Sequence, residues 1–298
     1  MKKFFILAAA ALSFAACSNN ESDNQVQNPD NAIRLNASVG EITRAGSNLL
    51  ETNFAANTKV KVQVTDKKTT DAAAVTYGAV DYTVGANGAL SVTPIQYYPA
   101  SGSEVKVYAY YPSTAADNTT FTVATDQNEN AAYQASDLMY ATLDPLVKNT
   151  TNQLTFNHVM SKITVTLTAG TGFTDDELAG VAVVLKEVKY KGTFAPADGT
   201  FTAANDTENI TITTAAGTTA KSAIIVPQDV AGKKLAVTIA GKEMEYSIPA
   251  STNFEKGKNN TYSITVAKTG IQVSSSIANW GNGGNNDSQT ASDKTLTY

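Results

Sequence analysis

The chain has 298 residues, 42% of them hydrophobic and 16% charged, with a net charge of -5. That length exceeds one average domain and allows two domains or one large sandwich. Its Lys and Arg residues are scattered and form no basic stripe, so no nucleic-acid partner is expected.

Residues 1–16 read as a signal peptide. Lys2 and Lys3 make a positive n-region, Phe4 to Leu12 an apolar h-region too short to span a bilayer, and Phe14-Ala15-Ala16 a small-residue stretch before Cys17. Cys17 is the only cysteine, so it forms no internal disulfide. A cysteine at this place resembles a bacterial lipoprotein signal, in which signal peptidase II cuts before the cysteine and acyl chains are attached to it; an ordinary secretory signal is the alternative. One such chain would anchor the protein to lipid only marginally, whereas two or three would hold it. Residues 17–31 are polar and read as a flexible tether.

Ile33, Leu35, Ala37 and Val39 then alternate with Arg34, Asn36, Ser38 and Gly40, the period of a half-buried strand. Ile42-Thr43-Arg44-Ala45-Gly46 follows, a basic residue among small ones that a trypsin-like protease accepts in an exposed loop. Cleavage between Arg44 and Ala45 would make Ile33, Leu35, Ala37 and Val39 a removable strand. A sandwich that loses a strand exposes an apolar groove and unpaired edge groups, which a strand from another copy can fill.

The strands continue with Lys59–Val64, then Val75–Val84 and Ala89–Thr93 around Gly85-Ala86-Asn87-Gly88. Glu104–Tyr111 is ended by Pro112, and Phe121–Ala124 and Leu138–Thr142 flank an Asn-, Gln- and Asp-rich loop. Pro145 and the polar Lys148–Asn152 run suggest a domain boundary, giving an N-terminal unit of residues 32–145 and a C-terminal unit of 146–280. The second unit opens on the long alternating stretch Leu154–Leu167. A short helical turn with Thr174 as N-cap and Glu177 three residues on comes next, then Val181–Tyr190 and a hairpin region from Lys191 to Phe201. Strands around Ile210 and Ile212, Ala223–Val226, Leu235–Ala240, Glu243–Ile248, Tyr262–Val266 and Ile271–Ile277 complete it. Strands every eight to twelve residues with no helix-length pattern between them predict an all-β chain of antiparallel sandwiches.

His158, the only histidine, lacks a nucleophile signature and reads as a packed or hydrogen-bonded residue. With Cys17 taken by lipid, no zinc ligand set remains. Asp175, Asp176 and Glu177 lack EF-hand spacing and suit the first turn of a helix. No catalytic residue, metal or cofactor is expected, and the chain does not read as an enzyme. Tyr97, Tyr98, Tyr108, Tyr110 and Tyr111 either pack in the sheets or line a face for a host glycan or protein. After Trp280, residues 281–298 form a Gly- and Asn-rich linker and a tail in which Leu296 and Tyr298 share one side, either a donor strand or a disordered terminus.

Several of these stretches together resemble the fimbrillin family of Bacteroidetes, the type V pilins. They are Cys17, Thr43-Arg44-Ala45, Tyr98-Pro99, Val107–Pro112, Leu154–Lys162, Ile225-Val226-Pro227-Gln228, Phe254–Tyr262 and Ile277–Trp280. The resemblance implies two tandem transthyretin-like β-sandwich domains, export as a lipoprotein to the outer membrane, where its lipid is the partner of acylated Cys17, and removal of the segment through Arg44 by an arginine-specific protease. It further implies a vacated groove filled by a C-terminal strand from another copy or another fimbrial subunit. Here that strand would carry Leu296 and Tyr298. A surface-tethered adhesin, or an anchor or tip subunit, would share the fold.

Overall fold

The computed structural model describes residues 31–40, 53–67, 77–100, 104–115, 119–212, 220–239, 241–280 and 291–297. In the first half these form β1 (Arg34–Val39), β2 (Lys59–Asp66), β3 (Tyr77–Val84), β4 (Ala89–Ser91), β5 (Val105–Tyr111), β6 (Thr120–Thr122), α1 (Asn130–Ser136), β7 (Met139–Leu143) and β8 (Thr151–His158). Seven of the strands close a barrel in the order β1-β4-β3-β2-β5-β7-β8. Alternation explains it: Val60, Val62 and Val64 of β2 and Val105, Val107 and Ala109 of β5 are all buried on the inner face, while Lys59, Lys61 and Gln63 stand on the other.

The second half holds β9 (Ser161–Ala169), α2 (Asp175–Leu178), β10 (Val183–Lys189), β11 (Lys191–Ala195), β12 (Thr200–Ala203), β13 (Thr207–Ile212), β14 (Ala220–Ile225), β15 (Gln228–Asp229), β16 (Lys234–Ile239), β17 (Lys242–Ser247), β18 (Asn253–Phe254), β19 (Lys258–Ala267), β20 (Gly270–Asn279) and β21 (Ala291–Thr297). A four-stranded sheet, β13-β10-β16-β17, faces a five-stranded one, β14-β9-β19-β20-β21, across a second core. The helical turn at Asp175 carries the capping box that Thr174 and Glu177 suggested, with Glu177 Oε2 accepting from the Thr174 backbone N–H at 2.8 Å.

The fold is all-β in two packed units, with four departures from the sequence expectation. Two pairs, β1 with β8 and β9 with β19, are parallel rather than antiparallel. Residues 146–158 do not open the second unit: residues 144–150 are the connection between β7 and β8 of the first barrel, held by Asn152 of β8, whose side chain accepts from Val147 N–H and donates to its carbonyl. Leu154–Leu167 is not one strand, because its inward positions change parity. Leu154 and Phe156 belong to the first core, whereas Ile163, Val165 and Leu167 belong to the second, and the chain breaks between them at Val159-Met160. The polar loop before Leu138 contains α1, an Ala-rich helix with Tyr133 and Ser136 buried.

After β5 the chain crosses to the second unit before returning. There β6 pairs with β11, Phe121, Val123, Tyr133 and Leu138 enter the second core, and Gln127 both accepts from Ile224 N–H at 2.8 Å and donates to its carbonyl at 2.8 Å. The side-chain amide of Gln127 thus pairs with the outer edge of β14 as a neighbouring strand would.

Candidate functional site

The candidate site is the slot that β1 occupies. β1 lies parallel to β8 from Arg34↔Thr151 to Val39↔Phe156 and antiparallel to β4 at Leu35↔Leu90 and Asn36↔Ala89. Backbone bonds tie both of its ends: Ile33 N–H donates to Gln96 O at 2.9 Å, and Gly40 N–H to Phe156 O at 2.6 Å. Ile33, Leu35, Ala37 and Val39 are 7%, 3%, 5% and 1% exposed. They face a wall that includes Phe54, Tyr82, Val84, Leu154 and Phe156, with the Phe54 ring edge-on to Phe156 at 5.0 Å.

The opposite face of β1 is read by one side chain. Gln153 on β8 accepts from the Asn36 amide at 2.9 Å and donates to the Asn36 carbonyl at 3.2 Å and the Ser38 hydroxyl at 3.0 Å. Slipping β1 by one residue would break these bonds and turn Leu35 and Ala37 to solvent. Beside the middle of the strand, just before β4, lies the turn Ala86–Gly88. Gly88 has φ +81°, and a Cβ there would come within 2.2 Å of the Ala37 carbonyl oxygen, so only glycine fits. Nothing in the alternation pattern marked Gln153 or Gly88; the Asn87-Gly88 pair signalled a turn, not its contact with β1.

Where β1 ends, a cleft of about 690 Å³ opens between the two units, lined among others by Gly40, Gln153, Asn157, His158, Lys258 and Trp280. His158 is a packed residue here. Its Nδ1 lies 2.8 Å from Asp137 Oδ1, both side chains are buried, and its ring stacks on the Trp280 indole at 3.8 Å and an interplanar angle of 3°. This cluster joins the end of β8, the end of α1 and the residue before the C-terminal tail.

Tyr98, Tyr110 and Tyr111 are buried and Tyr97 and Tyr108 half-buried, so the tyrosine-rich stretch serves the cores rather than an open face. Tyr98 donates its hydroxyl to Val147 O at 2.9 Å, and Tyr110 meets Phe194 edge-on at 5.5 Å across the two units. Burial, with the Asp137 carboxylate adding to it, pushes the Tyr111 phenol up to about 12. Among the described residues no cluster of His, Cys, Asp and Glu is placed to hold a metal.

The tail strand β21 pairs antiparallel with β20, with Leu296 opposite Ile271 and Thr297 opposite Gly270. Cys17, Arg44, Ala45 and Tyr298 lie outside the described residues.

The whole fold has solved counterparts. It superposes on a candidate cell adhesion protein from Bacteroides uniformis with a TM-score of 0.67 at 25% identity, over 85% of this chain and 100% of that one. A candidate cell adhesion protein from Bacteroides ovatus gives 0.64 at 21% identity, over 84% and 97% of the two chains. The chain therefore shares the fold of these two proteins. Residues 43–280 match the model described as fimbrillin-like, and the chain belongs to that family. A curated relative, the candidate fimbrium subunit Fim1C of Bacteroides uniformis, is 28% identical over 312 aligned positions that cover 95% of this chain and 98% of its own. The family is one of fimbrial subunits, which are components of cell-surface appendages.

Proposed function

We propose that the chain is a subunit of a cell-surface fimbria, exported as a lipoprotein held in the outer membrane through acylated Cys17 and activated by cleavage between Arg44 and Ala45. An arginine-specific protease separates β1 from the rest of the chain, β1 leaves with the lipid, and the slot takes a strand from a neighbouring fimbrial subunit. The assembled fimbria supports adhesion. The observation that carries this reading is the position of β1: it is paired on both sides and buried along four alternate residues, yet only the short segment bearing Arg44 connects it to the rest of the barrel. Its removal leaves β4 and β8 with unpaired edges around an apolar groove, an arrangement that is stable only when refilled. Joining by such a strand is heterologous and does not close on itself, as a filament requires.

Arg44→Ala tests it in the native host. The variant is expected to stay lipidated at Cys17 and monomeric, by mass spectrometry of the mature N-terminus and by the absence of a ladder on non-boiled gels. A ladder equal to that of the unaltered chain would reject the mechanism.

A further inference from the structure

The slot and the tail can be compared residue by residue. Ile33, Leu35, Ala37 and Val39 face the first core, so the slot takes three branched aliphatic side chains and, at the third position, a methyl group. Beside that third position the Ala37 carbonyl lies against the backbone of Gly88, so the strand and the turn before β4 are already in close contact there. On the other face, Gln153 requires a polar partner where Asn36 and Ser38 stand. The occupant is thereby specified as an extended segment, apolar at four alternate positions with a small third residue and polar between them.

The tail of this chain fails that specification in either alternation frame. Ala291, Asp293, Thr295 and Thr297 form one frame, and Ser292, Lys294, Leu296 and Tyr298 the other. Each turns one charged residue inward against the apolar wall of Phe54, Tyr82, Val84, Leu154 and Phe156. Reversing the strand changes nothing, because the slot has one parallel and one antiparallel neighbour and the same side chains face in. A shifted register that keeps Lys294 outside offers the four positions only Leu296 and Tyr298 from this stretch. The backbone of Ala291–Thr297, meanwhile, already adds a fifth strand to the second sheet of its own chain.

We infer that the first-barrel slot is built for a strand from a different chain, and that a subunit of this sequence accepts a neighbour's strand while keeping its own tail on its own second sheet. Such a subunit ends a row of subunits instead of extending it. The inference deepens the exchange reading above and rests on it.

The test uses the chain from Ser18 to Tyr298, cut after Arg44, and three labelled peptides. These are residues 31–40, residues 289–298, and the latter with Ser292→Ile, Lys294→Leu, Leu296→Ala and Tyr298→Val. Native mass spectrometry follows peptide uptake together with release of the fragment ending at Arg44. The 31–40 peptide is expected to enter, the unaltered tail to bind roughly a hundredfold more weakly or not at all, and the altered tail to recover to within about tenfold of the first. Equal uptake of the unaltered tail and the 31–40 peptide would overturn the inference and leave strand exchange standing. Failure of the 31–40 peptide itself to enter would overturn strand exchange and this inference with it.

Discussion

Replacing Leu35 with Ala removes the most enclosed large side chain of the lower half of β1. Leu35 is 3% exposed, opposite Asn152 on one side and Leu90 on the other, and belongs to the first core and not to the second. Because both neighbouring strands hold the backbone in place, the wall cannot close over the lost methyl groups. That places the loss in the middle to upper part of the range for buried Leu→Ala, about 3–4 kcal/mol. In the uncut chain the loss appears as stability of the first barrel: the urea midpoint falls while the slope of the transition for that unit is unchanged. In the chain cut after Arg44 the same loss becomes a weaker hold on the strand, about a hundred- to several-hundredfold, read as faster exchange of the cut fragment against labelled 31–40 peptide. A stability loss below about 1 kcal/mol would refute the packing argument. An exchange rate equal to that of the unaltered chain would refute the idea that side chains such as Leu35 hold the cut strand.

Gly88→Ala should destabilise the barrel by about 1–3 kcal/mol, because the backbone there is left-handed and the new Cβ meets the Ala37 carbonyl; thermal unfolding checks it. His158→Ala leaves a buried oxygen of Asp137 without its hydrogen-bond partner and should cost about 1–3 kcal/mol, with Trp280 becoming accessible to acrylamide quenching once its stacked neighbour is gone. Lys162 is held down to about 8 by burial, below its unfolded value, so the unfolded chain binds the extra proton between about pH 8 and 10.5 and stability gains from this residue as pH rises through that window. Lys162→Met should remove this contribution, so the stability of parent relative to variant rises between about pH 8 and 10.5; a difference constant with pH would contradict the assignment.

What the sequence made legible was local. Alternation in Lys59–Val64, Glu104–Tyr111 and Leu235–Ile248 located strands because each has one face in a core and one in water, and the spacing of Thr174 and Glu177 located a cap because both partners lie within one turn. The inward set of β1 was readable for the same reason. Long-range choices were not. Pro145 and Lys148–Asn152 look alike as a domain linker or as a hairpin connection, and only the pairing of β8 with β1 decides between them. The parity change between Phe156 and Ile163 did carry the break, since two residues seven apart cannot share a strand face, but it is visible only when the inward positions are numbered across the whole stretch. The crossing could not be read: Phe121–Ala124 was legible as a short strand, but its destination was not, because Phe121 and Thr122 pair with Gly192 and Lys191 some seventy positions later.

The arrangement of strand directions bears on how a subunit held through this slot would carry tension. β1 and β8 run side by side from Thr151 and Arg34 to Phe156 and Val39, so a strand in the slot pulls on β8 along its full length in shear, where its backbone bonds are loaded together instead of one after another. β8 passes through Val159 and Met160 into β9, the second strand of the five-stranded sheet, so tension reaches the second unit along the backbone itself. At that same junction His158 is fixed by Asp137 and stacked on Trp280, and α1 and β6 reach across from the first half, so the units are also tied by side chains on either side of the covalent link. Thr297 lies opposite Gly270, the end of β20 farthest from Trp280, which puts the last described residue of the tail away from the joint. The slot is thus on one side of the joint and the tail strand on the other, with a continuous path between them running through β8, β9, β19 and β20. Tension applied at the slot is therefore resisted by the two parallel pairs, β1 with β8 and β9 with β19, which are the departures from an antiparallel fold that alternation alone could not disclose.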